Sequence, residues 1–151
     1  MSAAEALAAL EATALAQHLK GSAWTYPLVN AGHILGIALL VGAVVALDLR
    51  LLGVRPRMAL ADAQALLRPV ALAGLALALV TGTALFVTQA GDYAAHGVFR
   101  TKMAVLALVL TNALLHARLA PASRRRQRLA GALSLVLWPT VLLLGRMIGY
   151  S

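Results

Sequence analysis

Four long apolar runs, separated by polar segments, dominate the pattern of this chain. In the clearest run, from Pro27 to Leu47, 21 residues include no charged side chain and only two strongly polar ones, Asn30 and His33. At about 1.5 Å of rise per residue, a helix of this length crosses the roughly 30 Å hydrocarbon core of a bilayer. The pattern therefore predicts four transmembrane helices, over residues 25–47, 69–88, 99–119 and 129–148.

The segments between these runs are short, which favours an antiparallel bundle of four helices. We therefore predict an all-α polytopic membrane protein with a single membrane domain over residues 1–151. Pro69 falls in the first turn of the second predicted helix, where proline is tolerated, and Pro139 predicts a kink in the fourth. Small residues that let helices approach closely recur in the first two spans: Gly32, Gly36, Gly74 and Gly82.

The segment before the first span, residues 2–20, is rich in Ala and Leu but also carries charged side chains. Its composition favours a helix, and its apolar face predicts an amphipathic interfacial helix lying on the membrane surface. The alternative is a frayed N-terminal tail. Two acidic residues near the start, Glu5 and Glu11, are not typical of a secretory signal peptide.

The composition supports a bilayer environment. Hydrophobic residues make up 62% of the chain and charged residues 12%, against about half and about a quarter in soluble domains. The net charge of +8 does not indicate a nucleic-acid partner, because the basic residues cluster between the apolar runs, as in membrane proteins. The chain has no Cys, which excludes disulfides, thiolate metal sites and cysteine catalysis.

The basic residues are shared unequally between the two ends of the predicted bundle. Nine of the 13 Lys and Arg residues belong to the first and third connections, and four belong to the opposite end. Because cytoplasmic loops carry the excess of Lys and Arg, we predict that both termini lie on the outer side of the membrane.

His33 is the clearest functional candidate inside a span, because polar groups in hydrocarbon are costly and often functional. It lies nine residues after Trp24, about 13 Å into the outer half of the membrane, with Asn30 one turn away on the same face. Three interpretations stay open. The imidazole could bond to a neighbouring helix, ligate haem or a metal, or take part in a proton relay or a quinone contact.

A second haem ligand opposite His33 is not evident. His116 lies seventeen residues after Phe99, about 26 Å along its span and close to Arg118. The first and third spans run in the same direction, so the two histidines differ in depth by about 13 Å, more than ordinary helix tilts accommodate. A haem held between His33 and His116 is therefore disfavoured.

Other polar side chains are predicted at the outer level of His33. The Lys and Arg among them could bind an anionic headgroup, a haem propionate or a carboxylate, and the alternative is that they snorkel to the interface beside a belt of tyrosines. His and Met could form a copper site, or complete the ligation of a haem. The predicted cofactor-binding set is His33, Asn30, Lys102, Arg146 and Tyr150, and the predicted metal set is His33, His96 and Met147.

At the opposite end, Asp48 and Arg50 are too close in sequence to face each other on one helix. We predict that they pair with other elements and form a structural polar clamp. No phosphate-binding loop, HExxH motif or Ser-His-Asp arrangement is present in the sequence, which argues against an enzyme acting on its own.

Three stretches together resemble a family of bacterial four-helix inner-membrane proteins, a domain of unknown function: YPLVNAGHILGIALLVG (26–42), DLRLLG (48–53) and GRMIGY (145–150). The resemblance covers residues 24–150 and implies the fold and an inner-membrane location. A looser likeness to the membrane domain of CopD-type copper-resistance proteins implies copper handling, with His33 as the matching ligand. The family pattern adds weight to six residues as a set: His33, Asp48, Arg50, Lys102, Arg146 and Tyr150.

Together these observations predict a membrane subunit that binds haem b or a quinone and takes part in electron transfer. A copper-handling or transport protein is the first alternative, and a non-catalytic scaffold without a cofactor is the second. The predicted partners are the lipid bilayer and either a second copy of the chain or a membrane or periplasmic redox protein.

Overall fold

The structure is a computed structural model that describes residues 2–54, 57–118 and 123–150, without the side chains of residues 116–118. Within these residues every regular element is a helix. In chain order they are α1 (Ala3–Glu11), α2 (Ala14–Gly21), α3 (Thr25–Leu51), α4 (Leu60–Phe86), α5 (Ala90–Ala95), α6 (Gly97–Arg118) and α7 (Arg124–Met147). Four of them, α3, α4, α6 and α7, are long and apolar enough to cross a membrane. The all-α fold and the four-helix bundle are therefore confirmed, and the four helices indicate a multi-pass membrane protein.

The four long helices run antiparallel to their neighbours, so the bundle has two distinct ends. One end holds α5, α1 and the end of α7, and we call it the α5 end. The other holds the arginines that begin α7, and we call it the arginine end. α3 packs most extensively on α4, α7 packs on both α3 and α6, and α5 connects α4 to α6.

Helix α4 begins earlier than predicted. Its first residue is Leu60, so Pro69 lies inside the helix. The sequence had predicted Pro69 in the first turn. The residues before Pro69 are mainly Ala, Leu and Gln, which are strong helix formers. Their preference outweighs the one backbone hydrogen bond that proline cannot make. Pro139 also lies inside a helix, α7, and the kink there stays a prediction.

The contact between α3 and α4 is made by glycines. A Cβ atom on Gly36 would lie 2.6 Å from the Ala78 backbone nitrogen, and one on Gly74 would lie 2.5 Å from the Leu40 backbone nitrogen. Both distances are shorter than any real Cβ contact, so the two backbones touch directly here. This is the close approach that small residues permit in lipid, as the sequence predicted for Gly36 and Gly74.

Large side chains fill the centre of the bundle. The buried cluster contains Leu40 from α3, Val109 from α6 and three residues of α7, namely Leu137, Trp138 and Val141. Ala71 and Leu75 of α4 pack against its edge. All four long helices therefore share one apolar core.

The predicted single helix over residues 2–20 is in fact two helices. Thr13 separates them, because its hydroxyl accepts from the Ala16 amide at 3.3 Å and so caps the start of α2. In α2, Ala16 and Leu19 are fully buried. The Glu11 carboxylate at the end of α1 accepts from the Gly91 amide at 2.8 Å. The N-terminal segment is thus two helices, with α1 docked on α5 and α2 against α3, and its position at the membrane surface stays a prediction.

Candidate functional site

His33 is anchored on α4 through one ring nitrogen. Its Nδ1 lies 2.9 Å from the Ala78 carbonyl oxygen and 3.2 Å from the Thr81 hydroxyl oxygen. The Thr81 hydroxyl already donates to the Leu77 carbonyl at 2.6 Å, and a carbonyl can only accept. This hydrogen-bond network therefore assigns the proton to Nδ1 and leaves Nε2 with its lone pair as an acceptor or a ligand.

Glycine makes room for this imidazole. A Cβ atom on Gly82 would lie 2.8 Å from His33 Cε1 and 3.3 Å from Nδ1. The ring therefore occupies the space that a side chain at position 82 would fill.

Lys102 of α6 is the charged group beside this histidine. Its ammonium interacts electrostatically with the His33 ring. The Lys102 side chain passes over Gly145 of α7, where an added Cβ would lie 3.3 Å from Nζ. The four long helices therefore each contribute to this region: His33 from α3, Thr81 and Gly82 from α4, Lys102 from α6 and Gly145 from α7. We call these five residues the His33 site.

The structure does not bring the remaining predicted cofactor ligands to the His33 site. Arg146 and Tyr150 pair with each other at the end of α7: the guanidinium donates to the phenol oxygen and lies 4.6 Å from the ring centroid. Both side chains are exposed. Asn30 is also exposed, although it lies one turn from His33 on the same helix.

The predicted metal set comes from three different elements: α3, the junction of α5 and α6, and the end of α7. His96 joins α5 to α6 and lies six residues before Lys102, which corresponds to about 9 Å of helix toward the α5 end. Met147 is the last residue of α7 and is exposed. Among the described residues, no three side chains of His, Asp or Glu converge as a metal site requires. The His116 side chain lies outside the described residues.

An aromatic cluster covers the bundle between the His33 site and the α5 end. Phe86 of α4, Tyr93 of α5 and Phe99 of α6 contact one another, with ring centroids 5.4 to 6.2 Å apart. Burial, and then the neighbouring Tyr26, raises the pKa of the Tyr93 phenol. The cluster therefore stays uncharged and apolar at neutral pH, and it holds the ends of α4 and α6 together.

Asp48 and Arg50 point to different partners, as their spacing requires. The Arg50 guanidinium donates to the Met58 carbonyl at 2.7 Å and so ties the first connection to α3. Gly53 ends α3 with a φ of 102°, a left-handed conformation that favours glycine. Asp48 is buried, and its neighbours on α7 are Gly131, whose added Cβ would lie 3.4 Å from the Asp48 carbonyl oxygen, and the buried Ser134.

Three polar contributors were missed in the sequence. Thr81 and Ser134 are hydroxyl residues inside spans, and a search for polar residues that included Ser and Thr would have found them. The Ala78 carbonyl is a backbone group, so the residue type at this position does not indicate that it accepts a hydrogen bond. Gly82 was noted for helix packing, but its contact with His33 required the register between α3 and α4.

No family model, no curated protein and no solved structure matches this chain.

Proposed function

We propose that the protein is a subunit of the bacterial inner membrane that binds a redox cofactor, a quinone or haem b, at the His33 site and takes part in electron transfer. The observation that supports this proposal is the state of the imidazole. Nδ1 is bonded to the Ala78 carbonyl, and Nε2 keeps a lone pair inside a span, next to a lysine. A half-buried, oriented nitrogen of this kind is costly inside a span unless it has a ligand to bind.

A quinone head fits the charges of this site. In the quinol state one hydroxyl could donate a hydrogen bond to His33 Nε2 while the Lys102 ammonium donates to the oxygen of the other hydroxyl, and in the quinone state Lys102 could donate to a carbonyl. Lysine and histidine would then bind opposite oxygens of one ring, and the neutral histidine would be able to accept a proton. The nearby aromatic cluster offers apolar ring surfaces of the kind that a quinone contacts.

Haem b is supported by a different feature of the same residue. Histidines that bind metal through Nε2 usually donate their Nδ1 proton to a carbonyl or carboxylate, and His33 donates to the Ala78 carbonyl. In that case Lys102 would pair with a propionate. The ammonium beside His33 argues against copper there, because it repels a second cation.

Purification with native cofactors tests this proposal. The protein would be produced in a bacterial membrane with haem supplied and purified in mild detergent. Its reduced-minus-oxidised spectrum, its iron and copper content and its extractable quinone would then be measured. We expect about one equivalent of quinone or haem b, which His33→Ala removes. His18→Ala is the matched control, because His18 is exposed and bonds only to Thr25, at 3.2 Å.

His33→Gln separates the two cofactors. Glutamine offers a hydrogen-bond acceptor but is a poor haem ligand, so a quinone would be partly retained and a haem would be lost. A preparation with neither quinone nor haem would overturn the proposal. Stoichiometric copper would then favour copper handling, and a co-purified protein without any cofactor would favour a scaffold.

We also propose that both termini lie outside the membrane and the arginine end inside. The excess of Lys and Arg in the first and third connections supports this orientation. Because the chain has no Cys, a single introduced cysteine is a unique label site. In intact cells an impermeant maleimide should label Tyr150→Cys and not Arg126→Cys. The reverse result would invert the topology without affecting the His33 site.

A further inference from the structure

Asp48 has a buried carboxyl group with only one recorded partner. The residue is 5% exposed, and no hydrogen-bond donor among the described residues reaches one of its oxygens, Oδ2. The hydroxyl of Ser134 on α7, itself 7% exposed, is the polar side chain that neighbours the carboxyl group. The residue lies near the arginine end of α3, separate from the His33 site.

The groups around Asp48 do not neutralise a negative charge. Asn112 of α6, the nearest amide on that helix, gives its side-chain N–H to the Ala130 carbonyl at 3.2 Å. Arg50 donates to Met58, while Arg128 of α7 reaches toward Gly53 at the very end of α3. The ionisable side chains of α4 nearest this level, Asp62 and Arg68, are exposed. Among the described residues, the structure records no cation paired with the Asp48 carboxyl.

Burial of an unpaired carboxylate is far more costly than burial of the neutral acid. A protonated carboxyl can share its hydrogen with the Ser134 oxygen and keep Oδ2 as a carbonyl, which leaves a much smaller penalty. We propose that Asp48, with Ser134, is a proton-binding site inside the bundle, on the side of the arginine end. The site takes a proton and not a metal cation, since Asp48 and Ser134 together offer three side-chain oxygens where such ions need six or more ligands.

This proposal goes beyond cofactor binding and does not depend on it. A protein without any cofactor would still have a protonated Asp48, and a protein with a cofactor could have an ionised Asp48. If both proposals hold, the bundle has a proton acceptor at His33 in one half and a proton-binding acid at Asp48 in the other.

Infrared spectroscopy of the purified protein tests the proposal directly. At neutral pH exposed carboxyl groups are ionised, because their pKa values lie near 4, so only a buried acid gives a protonated-carboxyl band. We expect such a band in the wild-type protein at pH 7, its loss in Asp48→Asn and its retention in Asp62→Asn, whose carboxyl is exposed. Ser134→Ala should shift the band to higher frequency, because it removes the hydrogen bond to the carboxyl group.

Three results would overturn it. The wild-type protein could show no protonated-carboxyl band at pH 7, or the band could persist in Asp48→Asn. Addition of Na⁺ or K⁺ at constant pH could also replace the band by carboxylate absorption, which would assign the oxygens to a metal cation. If Asp48→Asn fails to fold, the frequency shift in Ser134→Ala still decides whether the band belongs to Asp48.

Discussion

Helix α3 contacts α4 on one face and α7 on another, and the two contacts are built differently. Toward α4 the backbones touch, because Gly36 and Gly74 carry no side chain between them. Toward α7 the contact consists of large side chains, with Leu40 of α3 and Trp138 of α7 in one buried cluster. The first contact is close and admits no added atom, whereas the second can relax around a missing one.

The difference between the two contacts matters because the helices lie in a bilayer and not in water. Lipid tails are as apolar as Leu, so helices in a bilayer gain little from hiding apolar surface and must associate through packing and polar contacts. Backbone contact at glycines maximises packing along α3 and α4. It also places the His33 ring on α4, where Thr81 and the Ala78 carbonyl receive it. The glycine contact and the His33 site therefore depend on the same register.

The largest expected effect is that of Gly74→Ala. The new Cβ would lie 2.5 Å from the Leu40 nitrogen and 2.7 Å from the Gly36 carbonyl oxygen, so the two backbones must separate. We expect a loss of about 3 kcal/mol in the free energy of unfolding, the upper part of the usual range for overpacking. Denaturation in mixed micelles, followed by circular dichroism, measures it. Gly42→Ala is the control: it lies on α3 with nothing within 4 Å of its added Cβ, and should be neutral.

Trp138→Ala should cost less than Gly74→Ala, although it removes far more atoms. The indole is 4% exposed, so its loss leaves a cavity in the central cluster. In water such a change costs about 3–5 kcal/mol, but part of that comes from apolar transfer, which is small when the unfolded helices stay in lipid. We expect about 2 kcal/mol in the same assay. Leu143→Ala, at an exposed position of α7, should be close to neutral. A larger effect for Trp138→Ala than for Gly74→Ala would reverse the comparison.

Most of the fold could be predicted from the sequence, and the reason is physical. A bilayer requires long uninterrupted apolar helices, so the runs around Asn30 and His33 and their three counterparts are visible directly. The errors occurred where this requirement does not apply. The early start of α4 before Pro69 and the break at Thr13 depend on local helix preferences and capping outside the apolar runs.

The candidate site was less predictable. Depth along the spans placed His33 and Lys102 in the same half of the bundle, and they do interact. The partners of His33 depend on which face of α4 is turned toward α3. The sequence does not reveal this rotation, because α4 carries apolar side chains on all its faces. Arg146 was assigned to the same site by depth and by the family pattern, and the structure pairs it with Tyr150, another residue of the predicted set.

Gly82→Ala tests whether the glycine contact serves the His33 site. The added Cβ would lie 2.8 Å from His33 Cε1, which is a side-chain atom and can move. We therefore expect a modest loss of stability, about 1 kcal/mol, but a displaced imidazole that no longer donates to Ala78. Nitrogen NMR of the histidine ring reports the loss of the Nδ1–H tautomer, and cofactor content should fall as in His33→Ala. Gly97→Ala, with open space around its added Cβ, should change neither.

An unchanged His33 tautomer in Gly82→Ala would show that the geometry of the His33 site does not depend on the glycine contact between α3 and α4. It would mean that the imidazole is held by Thr81 and Ala78 alone, and that Gly82 only contributes to helix packing. Retention of the cofactor despite a changed tautomer would instead remove His33 Nε2 from the cofactor site.

The smallest expected effect concerns the docking of the N-terminal helices. The Gly91 amide, and then the Lys20 ammonium, lowers the pKa of the Glu11 carboxyl below its ordinary value of 4.5. A carboxyl group with a lowered pKa in the folded state stabilises that state fully above its ordinary pKa and loses this contribution as the pH falls through the lowered value. The contact of Glu11 with α5 should therefore hold at neutral pH and weaken only below about pH 4.5.

The Gly91 amide resonance, followed as the pH is lowered, measures this contact. In the wild-type protein we expect it to shift in the acid range, as the carboxylate that accepts its proton is neutralised. Glu11→Gln keeps an oxygen acceptor without a titrating group, so its Gly91 resonance should no longer follow the pH in that range. Glu5→Gln changes an exposed carboxyl group in the same helix and should leave the wild-type shift intact. If the Gly91 resonance shifts equally in Glu11→Gln, another group controls the docking of α1 on α5, and the N-terminal helices are held mainly by the buried side chains of Ala16 and Leu19.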